Sequence, residues 1–422
     1  MLQNYLAMGI VIVGAGIGGL AAALSLHAAG FEDIGVYERV ETLRPLGVGI
    51  NLLPHAVREL TELGLGERVT ALGVAPGTLA YYNRHGQQIW REPRGLDAGY
   101  HWPQLSVGRG QLQLALLEAV RERLGPNTVR TGHRLVSTDP AGTARFETTA
   151  GAVTVHAELV VGADGIHSTV RRERRPDEGA PIWNGLTLWR GTARLPGFLD
   201  GRTMIMAGDA EQKFVAYPIR DGINFIAERR ATGFGGANAD WNRAVDATPI
   251  IELFRSWRFP WLDVPQILGA AAEILEYPMV DRDPLDRWTH GRTTLLGDAA
   301  HPMYPNGSNG GSQAILDART LAYHLATARD TDIGLAAYER DRRPATTDLV
   351  HRNRQQGPER VMVLAHERAP DGFANIHDVL SPQELTEIAT GYKKAAGFHP
   401  EALNARPSLT PRPHGGTPGA TP

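Results

Sequence analysis

Three clusters of glycine and acidic residues carry the chemistry open to this sequence. Gly14, Gly16 and Gly19 form a G-x-G-x-x-G run, and Glu38 follows at the end of the next apolar segment. Asp164-Gly165 ends a second apolar run, and Gly297-Asp298 ends a third, ahead of a Gly/Asn-rich stretch from Pro302 to Ser312. In the first cluster Gly14 permits a sharp turn, Gly16 lets a pyrophosphate approach the backbone, and Gly19 lets a helix pack closely. The helix start offers free amides to phosphate, and an acid about 20 residues further on accepts hydrogen bonds from a ribose diol. This is the chemistry of a bound dinucleotide, NAD or FAD, and the acid favours an unphosphorylated ribose. Arg39, next to Glu38, joins the cofactor-binding set. His301 has no H-E-x-x-H pattern and no carboxylate at ligand spacing, so no metal site is expected.

The elements that must position these residues follow from pattern. Ile10 to Val13 has the composition of a buried strand, Leu20 to Ala29 reads as a helix stopped by Gly30, and Ile34 to Tyr37 is a second strand. Gly47 and Gly49 alternate in a way that suits close approach by backbone or ligand, or a plain loop. Leu79 to Trp90 reads as a hairpin turning at His85-Gly86. Arg109 precedes a helix to about Leu124, where it is a candidate for phosphate or ribityl oxygens. Val129 to Val155 reads as short strands, and Glu158 to Gly162 as a separate buried one. The basic run Arg171 to Arg175 is expected to be a solvated helix end.

From Pro181 to Glu276, alternating aromatic and β-branched residues predict an antiparallel sheet, interrupted by a helix over Pro249 to Trp257. Trp183, Trp189 and Tyr217 are expected in its core. Thr293 to Leu296 is a third short strand, and the Pro302 to Ser312 loop feeds a helix from Gln313 to Ala328. The expected domains are a first segment 1–74 of a dinucleotide-binding domain, continued at 104–180 and 278–365. A substrate domain takes 75–103 and 181–277, followed by C-terminal helices at 366–405 and a disordered tail at 406–422.

Composition narrows the function. With no cysteine among 422 residues, disulfides, thiolate metal sites, thiol catalysis and a thioether-linked flavin are excluded. A net charge of −3 leaves no electrostatic footprint for nucleic acid or an anionic membrane. No apolar run reaches the roughly 18 residues of a membrane span. Met1 to Met8 lacks the features of a signal peptide, so a cytoplasmic protein is expected.

Taken in order, Gly14-x-Gly16-x-x-Gly19 with Glu38, Asp164-Gly165 and Gly297-Asp298 resemble the three fingerprints of the single-component flavoprotein aromatic hydroxylases. The stretches RPLGVGINLLPHAV, LTLWRG, EYPMVDRDPL and GDAAHPMYPNGSNGGSQAI resemble its phenazine-hydroxylating branch. The resemblance implies an α/β fold of the para-hydroxybenzoate hydroxylase kind. That fold is a Rossmann-like FAD-binding domain with an inserted antiparallel substrate sheet and C-terminal helices. It also implies roles for residues: Glu38 on the adenosine ribose, Arg109 on the pyrophosphate or ribityl side, and Asp164 toward both FAD and the nicotinamide nucleotide. Asp298 would bind a ribityl hydroxyl, and Pro305 would sit beside the flavin near the carbon that reacts with oxygen. Amides around Asn309, Gly310 and Gly311 would face the pyrimidine edge, where preorganised donors stabilise the negative charge of reduced flavin.

The implied reaction uses non-covalent FAD, NADH or NADPH as a transient donor, and O2. A flavin C4a-hydroperoxide transfers oxygen to a small aromatic, a phenazine-like N-heteroaromatic or a phenol. Arg190, Tyr217 and Tyr304 are candidates for the substrate pocket. No second G-x-G-x-x-G is present, so the nicotinamide donor would dock only transiently, and the protein would act as a monomer or homodimer. The competing readings are a flavin-dependent epoxidase or halogenase, and a non-catalytic flavin-binding redox module.

Overall fold

The computed structural model describes residues 4–45, 48–231 and 243–411; Gly47 and the tail from position 412 lie outside the described residues. Ile10 to Val13 is apolar and β-branched throughout, which suits a strand covered on both faces, and all four side chains are buried. The strand Asn4–Val13 runs parallel to Ile34–Tyr37 on one side and to Gly151–Gly162 on the other. Val129–Arg130 and Thr293–Leu295 extend the parallel part. Gly151–Gly162 is one continuous strand, not a meander end followed by a separate buried run. Its first half also pairs antiparallel with Thr143–Thr148. The alternating and continuous apolar patterns thus mark two environments of one strand.

The helix Ile17–Ala28 packs against the sheet, with the helices Arg109–Leu124 and Gly310–Thr327 beside it. This last helix begins at Gly310, ahead of the expected Gln313. The helix after Asp246 spans Ala247–Leu253 rather than 249–257: Asp246 Oδ1 accepts from the Thr248 amide at 3.0 Å and sets the start.

A second sheet orders eight strands as Arg243–Val245, Ala271–Asp281, Ile182–Ala193, Gly222–Arg230, Gln212–Ile219, Thr203–Gly208, Thr78–Tyr82 and Gln88–Pro93. Every pair within the expected 181–276 span is antiparallel, and only Thr203–Gly208 with Thr78–Tyr82, from the earlier segment, is parallel. Those two strands come from different passes of the chain through this layer, so a long connection takes the place of a hairpin. Side chains alternate between its two faces. Phe214 and Ala216 pack with Ile250, Phe254 and Trp257, whereas Val215 and Tyr217 pack with Met362, Ala365 and Leu385.

Two sequence expectations hold only in part: Arg172 and Arg175 are exposed at the end of the helix Thr169–Arg174, as expected of the basic run, but Arg171 is not. Arg171 is no solvated helix end: it is 1% exposed, its Nη1 donates to Ala300 O at 2.9 Å and its Nε donates to Glu178 Oε2 at 2.9 Å. A guanidinium with five donors can bind three chain segments at once, which one-dimensional charge counting does not reveal. The start of the tail is also seated. Arg406 pairs with Glu59, Ser408 Oγ donates to Glu62 Oε2 at 2.7 Å, and Arg319 Nη2 donates to Thr410 Oγ1 at 2.8 Å. Among the described residues no helix is long and apolar enough to cross a membrane.

Candidate active site

The glycine run builds the first wall. Gly14 has φ +103°, and a Cβ there would lie 2.5 Å from Ala163 O, so only glycine fits the turn between the two parallel strands. A Cβ at Gly19 would lie 2.0 Å from Gly14 O, whereas one at Gly16 would meet nothing within 4 Å. The helix that starts after Gly16 has no side-chain cap, so its first amides face a cleft of about 550 Å³. Gly14, Gly16, Glu38, Arg39, Arg109 and Asp164 share this cleft, together with Tyr277 from the second sheet. Glu38 Oε2 accepts from the Ala15 amide at 2.8 Å and Oε1 from Val40 N at 3.0 Å, which holds the carboxylate at the mouth of the glycine turn. The half-buried Asp164 carboxyl is pushed up by desolvation; it accepts from Ser168 Oγ at 2.5 Å and Thr169 N at 2.7 Å, and so shapes the cleft wall.

A second helix start ends the segment Gly297–Gly311, none of whose residues is among those lining that cleft. Asp298 is exposed, and its Oδ1 would lie 3.9 Å from a Cβ on Gly310; a Cβ at Gly311 would touch Ile50 at 2.8 Å. Asn309 supplies no side-chain cap to the helix that follows, so a second set of helix-start amides is free. Pro305 is exposed at the head of the loop; Gly307 has φ +74° and Ser308 φ +54°. A non-glycine residue in the left-handed region is strained, and here neighbours hold it. Asn306 Nδ2 donates to Asn353 O at 2.9 Å, Asn353 Nδ2 to Tyr304 O at 2.9 Å, and Tyr392 Oη to Asn306 O at 3.1 Å.

Behind this loop lies a buried polar network that sequence reading missed. Asp317 Oδ2 accepts from Gly297 N at 2.9 Å and from His301 Nε2 at 2.5 Å, while Oδ1 accepts from Arg342 Nε at 2.7 Å. Burial raises the Asp317 pKa, but His301, Arg342 and the Gly297 amide outweigh it and bring the carboxyl down to about 2. The apolar helix pattern around Asp317 gave no sign of this role. His301 is a hydrogen-bond partner of Asp317, and among the described residues no cluster could hold a metal.

The second sheet reaches the strand Gly49–Leu52 through Arg190. Its Nη2 donates to Gly49 O at 3.1 Å and its guanidinium lies 5.8 Å from the Tyr277 ring centroid; the Gly49 amide donates to Asn224 Oδ1. Tyr217, beside Arg190, is pushed up to about 12 by burial and keeps its proton. Tyr304 is likewise pushed up to about 12, by desolvation, and packs with Leu186, Leu188 and Met279. Tyr277, which Arg190 overlies, and Ile226, which also packs beside Tyr217, border the Tyr304 cluster, so the three substrate candidates lie along one face of the second sheet. The pieces present fit a flavin dinucleotide: an open glycine turn, two uncapped helix starts and an acid at each.

Known proteins give the same picture. A family model described as FAD binding domain matches residues 7–353. The chain is 46% identical over 371 residues to the phenazine 1,6-dicarboxylic acid hydroxylase of Lysobacter antibioticus, covering 82% of this chain and 89% of that one. It is 32% identical to the 3-amino-4-hydroxybenzoate 2-monooxygenase of Streptomyces cremeus, covering 96% of this chain and 98% of that one. Among solved structures, 2,6-dihydroxypyridine-3-hydroxylase from Arthrobacter nicotinovorans is similar with TM-score 0.66 and 25% identity, over 83% of this chain and 92% of that one. Klebsiella pneumoniae HpxO complexed with FAD and uric acid shares the fold with TM-score 0.68 and 22% identity, over 92% of each chain. The chain belongs to the single-component FAD aromatic hydroxylases.

Proposed function

We propose that this flavoprotein aromatic hydroxylase uses NADH or NADPH and O2 to add a hydroxyl to a phenazine-like N-heteroaromatic or a phenolic acid. FAD, when bound, takes a hydride from the reduced nicotinamide and activates O2 for insertion into the ring. The protein's residues orient and enclose. Glu38 and Arg109 would hold the adenosine and pyrophosphate parts, and Asp298 a ribityl hydroxyl. The amides from Asn309 to Gly311 would hold the negative charge of the reduced ring, in a site already organised for it. The Arg190 bridge to Gly49 O would fix the second sheet over the ring and exclude water there.

The observation that carries this reading is a pair of uncapped helix starts, each with its own acid, of which the first opens on the cleft shared with Tyr277 of the second sheet. A redox-sensing module needs the first but has no use for the second. A halogenase needs a free lysine at the reacting centre, whereas Lys213 and Lys393 are held by carboxylates and Lys394 is exposed.

The test is to load the protein with FAD and follow NADH and NADPH oxidation in air with a panel of phenazines, hydroxybenzoates and hydroxypyridines. An aromatic that accelerates oxidation and leaves hydroxylated is expected. Nicotinamide oxidation that no aromatic accelerates would refute the reading.

A further inference from the structure

The helix Gly310–Thr327 starts without a side-chain cap, although the residue before it is Asn309, one of the types most favoured for capping. A free asparagine there would turn its Oδ1 onto the amides of the first turn, which the hydroxylase reading gives to the flavin ring. Two features prevent this. The Asn309 backbone sits at φ −107°, ψ −18°, not in the extended conformation of a capping residue. Its side chain is also drawn inward, and the residue is 1% exposed.

Gln313, itself buried, holds it there. Its Nε2 donates to Asn309 Oδ1 and to Ala396 O, both at 3.2 Å, and its Oε1 accepts from Arg342 Nη2. Both amide hydrogens and the carbonyl are engaged, which fixes the carboxamide. His55 and the Tyr392 hydroxyl are the other hydrogen-bonding neighbours of Asn309. Burial, with Arg406 and Arg342, brings His55 down to about 3, so its ring stays neutral. Phe398 stacks on that ring with centroids 5.2 Å apart, and Tyr100 Oη donates to Phe398 O at 2.7 Å. Tyr392, Ala396 and Phe398 belong to the end of the helix Pro382–Ala395 and the turn after it. The C-terminal segment therefore closes around Asn309 from behind.

We propose that Gln313, braced by the segment from Tyr392 to Phe398, is a positioning residue that withholds Asn309 from its own helix and so keeps the Gly310–Ser312 amides open to the flavin. Bare amides at a helix start are donors without a partner until a negative group arrives. They favour the reduced ring, which carries negative charge, over the neutral oxidised one, so the device acts on the potential of the flavin as well as on its affinity. An Asn309 oxygen on the same amides would take the place of the ring and oppose its charge.

This role rests on the hydroxylase reading, and its test separates the two. Asn309→Ser and Asn309→Ala are compared as FAD-loaded full-length proteins. Serine is a strong capping residue too short to reach Gln313, alanine cannot cap, and both leave Gln313 bonded to Arg342 and Ala396. The midpoint potential of the bound flavin is expected to be about 30 mV lower in the serine variant than in the alanine variant, a tenfold loss of affinity for reduced over oxidised FAD. Without FAD the serine variant should unfold at higher urea than the alanine variant, because it has gained a cap. Gln313→Met, of similar volume but with no donor, should lower the potential, and Asn309→Ala added to it should restore part of the loss. A plain packing defect would instead be deepened by the second substitution. Equal potentials in the serine and alanine variants, or a Gln313→Met loss that Asn309→Ala does not relieve, would overturn the role of Gln313 and leave the hydroxylase reading standing. A wild type that takes up no FAD would overturn both.

Discussion

Replacing Asp317 with Asn tests whether the flavin loop is held from behind. The carboxylate accepts three donors at 2.5–2.9 Å, from Gly297, His301 and Arg342, and is fully buried. Its pKa of about 2, against the ordinary carboxyl value of 3.8, is a linkage of about 2 kcal/mol at neutral pH. The folded value is depressed, so this stability is present above pH 3.8 and is lost as pH falls through about 2. Asn removes it and leaves Arg342 with only Gln313, so the total loss should reach about 3–5 kcal/mol, as for other broken buried pairs. The assay is urea unfolding with and without excess FAD, joined to FAD titration. Lower stability, weaker FAD binding and a flatter stability profile below pH 4 are expected together. Wild-type stability and FAD affinity in Asp317→Asn would refute the anchoring role.

The two inner glycines of the turn should separate binding from folding. Gly16→Ala places its Cβ in open cleft, so the fold should persist while FAD affinity falls at least tenfold, measured by flavin fluorescence. Gly19→Ala collides with Gly14 O and should lower the unfolding midpoint by several degrees; equal effects of the two would contradict the turn geometry. Burial outweighs Lys213 and pushes Glu228 up to about 7. Its folded value is raised, so the stability it contributes is complete below about pH 4.5 and lost as pH rises through 7. Unfolding measured from pH 5 to 8 should show this decline in the wild type and a flatter profile in Glu228→Gln.

Much of this was legible in one dimension, for local reasons. The strand, glycine turn, helix and terminal acid of Ile10 to Glu38 are consecutive, so their geometry follows from backbone sterics that pattern alone encodes. The same holds for Gly297-Asp298 and the loop after it. Hidden were the residues whose partners lie far off in sequence. Arg171 looked like surface charge because Glu178, Asp283 and Ala300 converge on it only in the folded chain. Asp317 looked like one acid on a helix because His301 and Arg342 arrive from elsewhere. The parallel strand pair escaped for the same reason, since pairing across distant segments leaves no periodic trace.

The most direct test is isotopic. FAD-loaded protein is given reduced nicotinamide and the aromatic that most accelerates its oxidation, under 18O2, and the product is examined by mass spectrometry. The account predicts a hydroxylated aromatic carrying a single 18O. A product labelled only from water, or nicotinamide oxidised with all the oxygen released as peroxide and the aromatic unchanged, would contradict it.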